Sequence, residues 1–189
     1  MNIQCFMAER TNIYRRELRR YASSTDQAEL CPSPMRYHNA VQPFGDVEAP
    51  AEDADLDGNS TVQFCEPTNI YWPVACECGY EFKNSDYRQW NQHRLYRRPG
   101  GELFTLREAP AGAMWFADWM EGWRGPDGHS LVVQTPGGEW NVDGPSMGAD
   151  RKRGPSWTRT GTPPLVTAKP SILMPSYHGF LTNGVLIEC

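Results

Sequence analysis

Apolar and polar positions follow two rhythms along the chain. Within residues 9–30 the stretch TNIYRRELRRYA sets Ile13, Tyr14, Leu18 and Tyr21 roughly on one helical face. Arg15, Arg16, Arg19 and Arg20 fall mostly on another face, and Thr11 or Asn12 supplies an N-cap. This spacing predicts one amphipathic helix. From residue 61 onward short apolar runs are broken by Gly, Pro, Asn and Asp, which predicts strands near 61–65, 92–98, 102–107, 129–135, 139–142, 165–167, 171–174, 178–182 and 185–189. Pro99-Gly100-Gly101 marks one hairpin turn. The window 113–123, AMWFADWMEGW, reads as either a helix or a buried strand.

Asn183-Gly184 is the strongest hairpin signal, because a type I′ turn needs positive φ at both central residues. A two-residue loop pairs Thr182 with Val185, Phe180 with Ile187 and His178 with Cys189. One face then carries His178, Phe180, Thr182, Val185, Ile187 and Cys189, and this mostly apolar face is expected to look into the core.

The expected fold class is therefore mainly β, a β-rich α+β chain: a compact antiparallel sheet or sandwich of short strands with an N-terminal helix. Three segments are expected: a helical piece over 1–42, an acidic linker over 43–60 and a β-rich, zinc-supported domain over 61–189. The linker PFGDVEAPAEDADLDGNS holds acids and no base. Within it Asp53, Asp55, Asp57, Gly58 and Asn59 imitate the start of a calcium loop, but Phe64 stands where that loop needs a bidentate Glu, so a plain acidic loop is expected.

Composition narrows the class. At 189 residues, with seven Trp, the chain is long enough to bury a real core. No run of eighteen apolar residues exists, so no membrane-spanning helix is expected. MNIQCFMAER lacks the apolar stretch of a signal peptide. The expected location is thus the reducing cytoplasm of a bacterium or of a phage-infected cell, with a virion as the alternative. There six cysteines point to free thiols or metal ligands rather than disulfides. A formal charge of −5 disfavours nucleic acid as the main partner. Even so, Arg88–Arg98 and Arg151–Arg159 interleave cations with Trp90, Tyr96 and Trp157, a pattern suited to stacking on bases.

Cys65, Cys76 and Cys78 form the leading metal candidate. In Cys76-Glu77-Cys78-Gly79 two thiols flank one residue, and the Gly lets backbone amides turn toward sulfur. A structural zinc needs four N or S ligands. His93, Cys31, Cys5 and His38 are candidates for the fourth, and His93 completes the expected set; three buried free thiols are the alternative. For catalysis, Ser171 and His178 suggest a nucleophile and a base. A tight hairpin about Pro175-Ser176-Tyr177 would set Met174 opposite His178 and Ser171 opposite Leu181, about 10 Å from a direct contact. His129, opening the strand HSLVVQT, serves equally well as base for Ser171. Cys189 opposite His178 is another pairing.

Taken in order, Cys76 and Cys78, Gly128-His129-Ser130, Gly138-Glu139-Trp140, Thr160-Gly161, Pro170-Ser171-Ile172 and Tyr177-His178-Gly179-Phe180 with Asn183-Gly184 make a recognisable set. In this the chain resembles, over about residues 65–187, a family of uncharacterised bacteriophage and bacterial proteins. Related members are encoded beside ubiquitin-like modifiers and taken to be peptidases. The resemblance implies a zinc-supported β fold with a hydrolytic site at His129, Ser171 and His178. It departs from the family in its one-residue cysteine spacing and its shorter loop before His178. The functional expectation is a phage-encoded accessory protein with a peptidase- or isopeptidase-like site, in which amides near Gly179 serve as oxyanion donors. Its partner would be a protein substrate. A non-catalytic virion or accessory component that binds another protein is the first alternative, and a nucleic-acid-binding accessory factor the second.

Overall fold

A computed structural model of the chain describes residues 1–22, 30–33, 36–48, 72–120, 122–146, 149 and 154–189. Residue contacts divide it into two compact units, Met1–Thr11 with Tyr96–Cys189, and Asn12–Leu95. The expected boundary at residue 61 and the expected strand at 61–65 fall outside the described residues, as do Cys65 and the calcium-like segment.

The strands, in chain order, are β1 (Asn2–Gln4), β2 (Phe6–Met7), β3 (Glu9–Ala22), β4 (His38–Glu48), β5 (Tyr87–Arg97), β6 (Leu103–Phe104) and β7 (Ala113–Phe116). They continue with β8 (Leu131–Thr135), β9 (Gly138–Asn141), β10 (Thr158–Thr162), β11 (Leu165–Met174), β12 (Tyr177–Thr182) and β13 (Val185–Glu188). They form sheets of order β1-β13-β12-β11-β10, β2-β7-β8-β9 and β4-β3-β5-β6. The mainly β, mostly antiparallel class is as expected. Among the described residues the helical content is one 3-10 turn over Leu106–Glu108, and no helix is long and apolar enough to cross a membrane.

The predicted N-terminal helix is a strand. β3 pairs antiparallel with β4 along its length, from Ile13 opposite Glu48 to Ala22 opposite His38. Its true period is two: Tyr14, Leu18, Arg20 and Ala22 are buried, while Ile13, Arg15, Glu17, Arg19 and Tyr21 are only half-buried. Arg20 hid that alternation, because a buried cation reads as polar. Its guanidinium donates to the carbonyls of Pro73 and Lys83 and lies over the Phe82 ring. The expected acidic loop is likewise corrected over 43–48, which belong to β4.

In the unit containing Cys189, the two sheets β1-β13-β12-β11-β10 and β2-β7-β8-β9 face each other. Met114, Leu131, Val133, Trp140 and Val142 meet Val166, Ile172, Tyr177, Leu181 and Leu186 in one buried cluster. The other face of β7 and β8 is also covered, with Trp115 and Val132 packing against Phe104, Leu106 and Tyr96. A strand buried on both faces reads as a continuous apolar run, as LVV does.

The Asn183-Gly184 hairpin has the expected register, with Thr182 opposite Val185 and Phe180 opposite Ile187. Its orientation is the reverse of the expected one: Tyr177, Leu181 and Leu186 are buried, whereas His178, Phe180 and Ile187 are exposed. A turn fixes which residues pair but not which face meets the core, and both faces of this hairpin are apolar. The preceding turn is one residue shorter than expected. Leu173 faces His178, Met174 faces Tyr177, and a register shift lies between Ala168 and Ile172.

Candidate metal centre

Two short segments of the Asn12–Leu95 unit converge on one point. The first runs from Cys31 to the start of β4 at His38. The second is a tight turn, 75–81, closed by an Ala75–Glu81 bridge. In that turn the Cys76 amide donates to the Tyr80 carbonyl at 2.8 Å and the Gly79 amide to the Cys76 carbonyl at 2.9 Å. Gly79 has φ +91, with nothing near a would-be Cβ, so the backbone conformation itself selects glycine. Arg20, held by carbonyls at 73 and 83, ties both flanks of the turn to β3.

The ligand atoms of Cys31, His38, Cys76 and Cys78 all lie within 4.8 Å of one another. His38 Nδ1 is 3.2 Å from Cys78 Sγ, and Cys31 Sγ is 4.0 Å from Cys76 Sγ. A zinc tetrahedron with bonds of about 2.3 Å to sulfur and about 2.0–2.1 Å to nitrogen has edges of about 3.5–3.8 Å. The 3.2 Å and 4.0 Å separations bracket those edges, and the four donors together lie within 4.8 Å. Cys31, His38 and Cys76 are buried and Cys78 is exposed. The His38 ring is stacked on Tyr80 with centroids 3.9 Å apart and planes 6° from parallel, which fixes the imidazole plane.

Amides and hydroxyls point at the sulfurs. The Ser33 hydroxyl and amide both donate to Cys31 and, against burial, bring its thiol down to about 7. At Cys78 the Tyr80 amide acts downward, but desolvation and the adjacent Cys76 and Cys31 thiols outweigh it and raise the pKa. Three thiols this close cannot all ionise without a cation. A divalent metal removes that conflict, and a Cys3His set of soft donors suits zinc.

The expected ligand set is thus only partly the observed one. Cys76 and Cys78 are present. His93 is corrected: its Nε2 meets Glu17 Oε2 at 3.0 Å, away from the sulfurs, because it is buried in the middle of β5. Cys5 belongs to the core cluster of the other unit, where burial pushes its thiol up to about 11 and keeps it protonated.

The three expected catalytic residues do not form a hydrogen-bonded set. Ser171 lies in the irregular stretch of β11, where its carbonyl accepts the Trp157 indole N–H at 3.3 Å. His178 sits on the exposed face of β12, beside Leu173. His129 stands before β8, in the other sheet, and its Nδ1 meets Asp118 Oδ2 at 2.7 Å. Neither histidine ring bonds to the Ser171 hydroxyl among the described residues. Asp118 is the partner that sequence reasoning missed. Its Oδ1 accepts the Ser130 amide and Arg124, both at 3.1 Å, and the His129 ring packs on Phe116 at 4.5 Å. The backbone there is pinned in turn by Asp127, which accepts the His129 amide and a two-pronged contact from Arg159.

No protein-family model, curated protein or solved structure matches the chain.

Proposed function

We propose that this chain is a zinc-binding accessory protein whose Asn12–Leu95 unit is held together by a structural Cys31–His38–Cys76–Cys78 zinc. The convergence of these four donors within 4.8 Å of one another, with sulfur-directed amides, carries the reading. Four protein ligands fill a zinc tetrahedron and leave no position for a substrate or an activated water, so the metal's work is structural. When bound, zinc supplies the cross-link. The chain's own residues supply orientation: Tyr80 fixes the His38 ring, and Ser33 and Tyr80 stabilise thiolates.

The test is metal content per chain in protein purified without added metal. Wild type and His93→Gln are expected to hold one zinc each. Cys31→Ser, Cys76→Ser and His38→Ala are expected to fall well below one. Full retention in Cys31→Ser and His38→Ala together would refute the assignment.

One observation favours a second reading, hydrolytic chemistry centred on His129. The Asp118 carboxylate orients the ring through Nδ1, as a carboxylate does for a general base. We infer that any hydrolase activity runs through the Asp118–His129 pair, with water rather than the Ser171 hydroxyl as nucleophile. Hydrolysis of an activated ester should then survive Ser171→Ala and be lost in His129→Gln. The reverse pattern would restore the serine, and a rate no greater than that of free imidazole would dismiss the chemistry.

A further inference from the structure

The two faces of the β3–β4 ribbon carry different chemistry. Strand alternation turns Ala22, Arg20 and His38 toward the 75–81 turn. It turns Arg19, Tyr21 and Asn39 the other way. On that opposite face the planes form a ladder. Tyr87 of β5 stacks on Tyr21 of β3, with centroids 4.8 Å apart and planes 9° from parallel. Next along β3, the Arg19 guanidinium lies 5.2 Å from the Tyr21 ring centre and 6.0 Å from that of Tyr37. Arg19 is locked by bonds to Asn39 Oδ1 at 2.6 Å and to the Tyr37 hydroxyl at 3.1 Å.

Two features of the ladder are more than a folded core needs. Tyr87, its outermost ring, is 61% exposed, so an aromatic surface already braced from behind is offered to solvent. Arg19 and the exposed Arg36 meet no carboxylate among the described residues, whereas Arg15 on the same strand is paired with Asp46. A preorganised ring stack that includes the Arg19 guanidinium, with the exposed Arg36 next to Tyr37 in sequence, matches a polyanion whose monomers carry flat π-faces.

We propose that the Tyr87–Tyr21–Arg19–Tyr37 ladder is a binding platform for single-stranded nucleic acid. A base stacks on the open face of Tyr87, and Arg19 and Arg36 take neighbouring phosphates. Reading is by stacking and charge, so the platform is tolerant of sequence. The chain's formal charge of −5 keeps affinity modest. His38 anchors the strand end that bears Asn39, but no ladder residue is a metal donor, so the zinc assignment and the platform can fail separately.

The experiment uses the full chain with its native metal and fluorescently labelled oligothymidine and oligouridine of about 16 nucleotides, read by anisotropy. Binding to both is expected, with a log–log salt slope of about −1.4 for two phosphate contacts on a single strand. Tyr87→Ala should weaken binding about 5- to 150-fold. Arg36→Gln should cut the slope by about 0.7. Tyr87 and Arg36 are exposed, and unchanged zinc content and circular dichroism certify that each variant is folded. Absence of binding would overturn the platform, as would a Tyr87→Ala affinity equal to wild type. Capture of a proline-rich peptide with no response to oligonucleotide would also overturn it, by assigning the aromatic face to a protein partner.

Discussion

Arg159 offers the most quantitative test of how the sandwich is held. It rises from β10 with its side chain 1% exposed, and it binds Asp143 (4% exposed) through Nε at 2.9 Å and Nη2 at 3.1 Å. Nη1 and Nη2 also donate to Asp127 at 2.9 and 2.7 Å, and Nη2 to the His129 carbonyl at 3.4 Å. Asp143 Oδ2 also accepts the Leu131 amide at 2.8 Å, so one carboxylate serves a β10 side chain and the first residue of β8. Asp143→Ala would remove both services. Breaking a buried pair costs about 3–5 kcal/mol; because Asp127 still balances the charge, the lower figure applies. The orphaned Leu131 N–H adds about 1–3 kcal/mol. The expected loss is about 4–6 kcal/mol, a large part of a typical stability of about 5–15 kcal/mol. Asp143→Asn keeps an acceptor for Leu131 and should cost about half as much. Replacing both members with apolar residues, Arg159→Met with Asp143→Leu, strands no fully buried charge and should cost less than Asp143→Ala, about 1–3 kcal/mol, set by the Leu131 N–H that still lacks its acceptor. Urea unfolding at pH 7, followed by tryptophan fluorescence, measures all three. A cost below about 1 kcal/mol for Asp143→Ala, or a double variant as weak as the single, would refute the reasoning.

Three further outcomes follow from the same coordinates. The Arg159 contact holds the Asp127 carboxyl down to about 2. A carboxyl depressed on folding stabilises above its unfolded pKa near 3.9 and loses that contribution as pH falls toward its folded value. Stability should therefore decline between about pH 4 and 2; allowing for partial exposure, Asp127→Asn should remove about 1 kcal/mol of that slope, as acid titration of the urea midpoint would show. The hairpin's orientation predicts an asymmetry: Leu181→Ala should cost about 2–5 kcal/mol, and Phe180→Ser, on the exposed face, less than about 1 kcal/mol. Equal costs in denaturant unfolding would put the wrong face in the core. Gly184→Ala should destabilise by more than about 1 kcal/mol, because φ is +75 and a Cβ would lie 2.5 Å from the Pro164 carbonyl oxygen; an unchanged thermal midpoint would contradict that crowding.

What could be read in advance depended on how local the determinant was. Asn183-Gly184 specified a turn and thus a register, both within a few residues. It could not specify the buried face, because Leu181 and Leu186 on one side are matched by Phe180 and Ile187 on the other. The β3 strand was misread because its interior face includes Arg20, whose burial depends on carbonyls at 73 and 83, some fifty residues away in sequence. At the metal centre, Cys76-Glu77-Cys78-Gly79 was legible as a thiol turn. Its partners were not, since Cys31 and His38 lie more than thirty residues upstream and His93 was equally plausible by type. A finer cue existed: Ser33 stands two residues after Cys31, as Tyr80 does after Cys78, the position from which an amide reaches back to sulfur. Asp118 left no comparable mark, because its link to His129 is made only by the fold.

X-ray absorption at the zinc edge of the metal-loaded chain tests the central assignment most directly. Three sulfurs at about 2.3 Å and one nitrogen at about 2.0–2.1 Å are expected, with the nitrogen shell replaced in His38→Ala and unchanged in His93→Gln. A first shell of oxygen and nitrogen, or a nitrogen shell that disappears with His93 instead, would contradict the account.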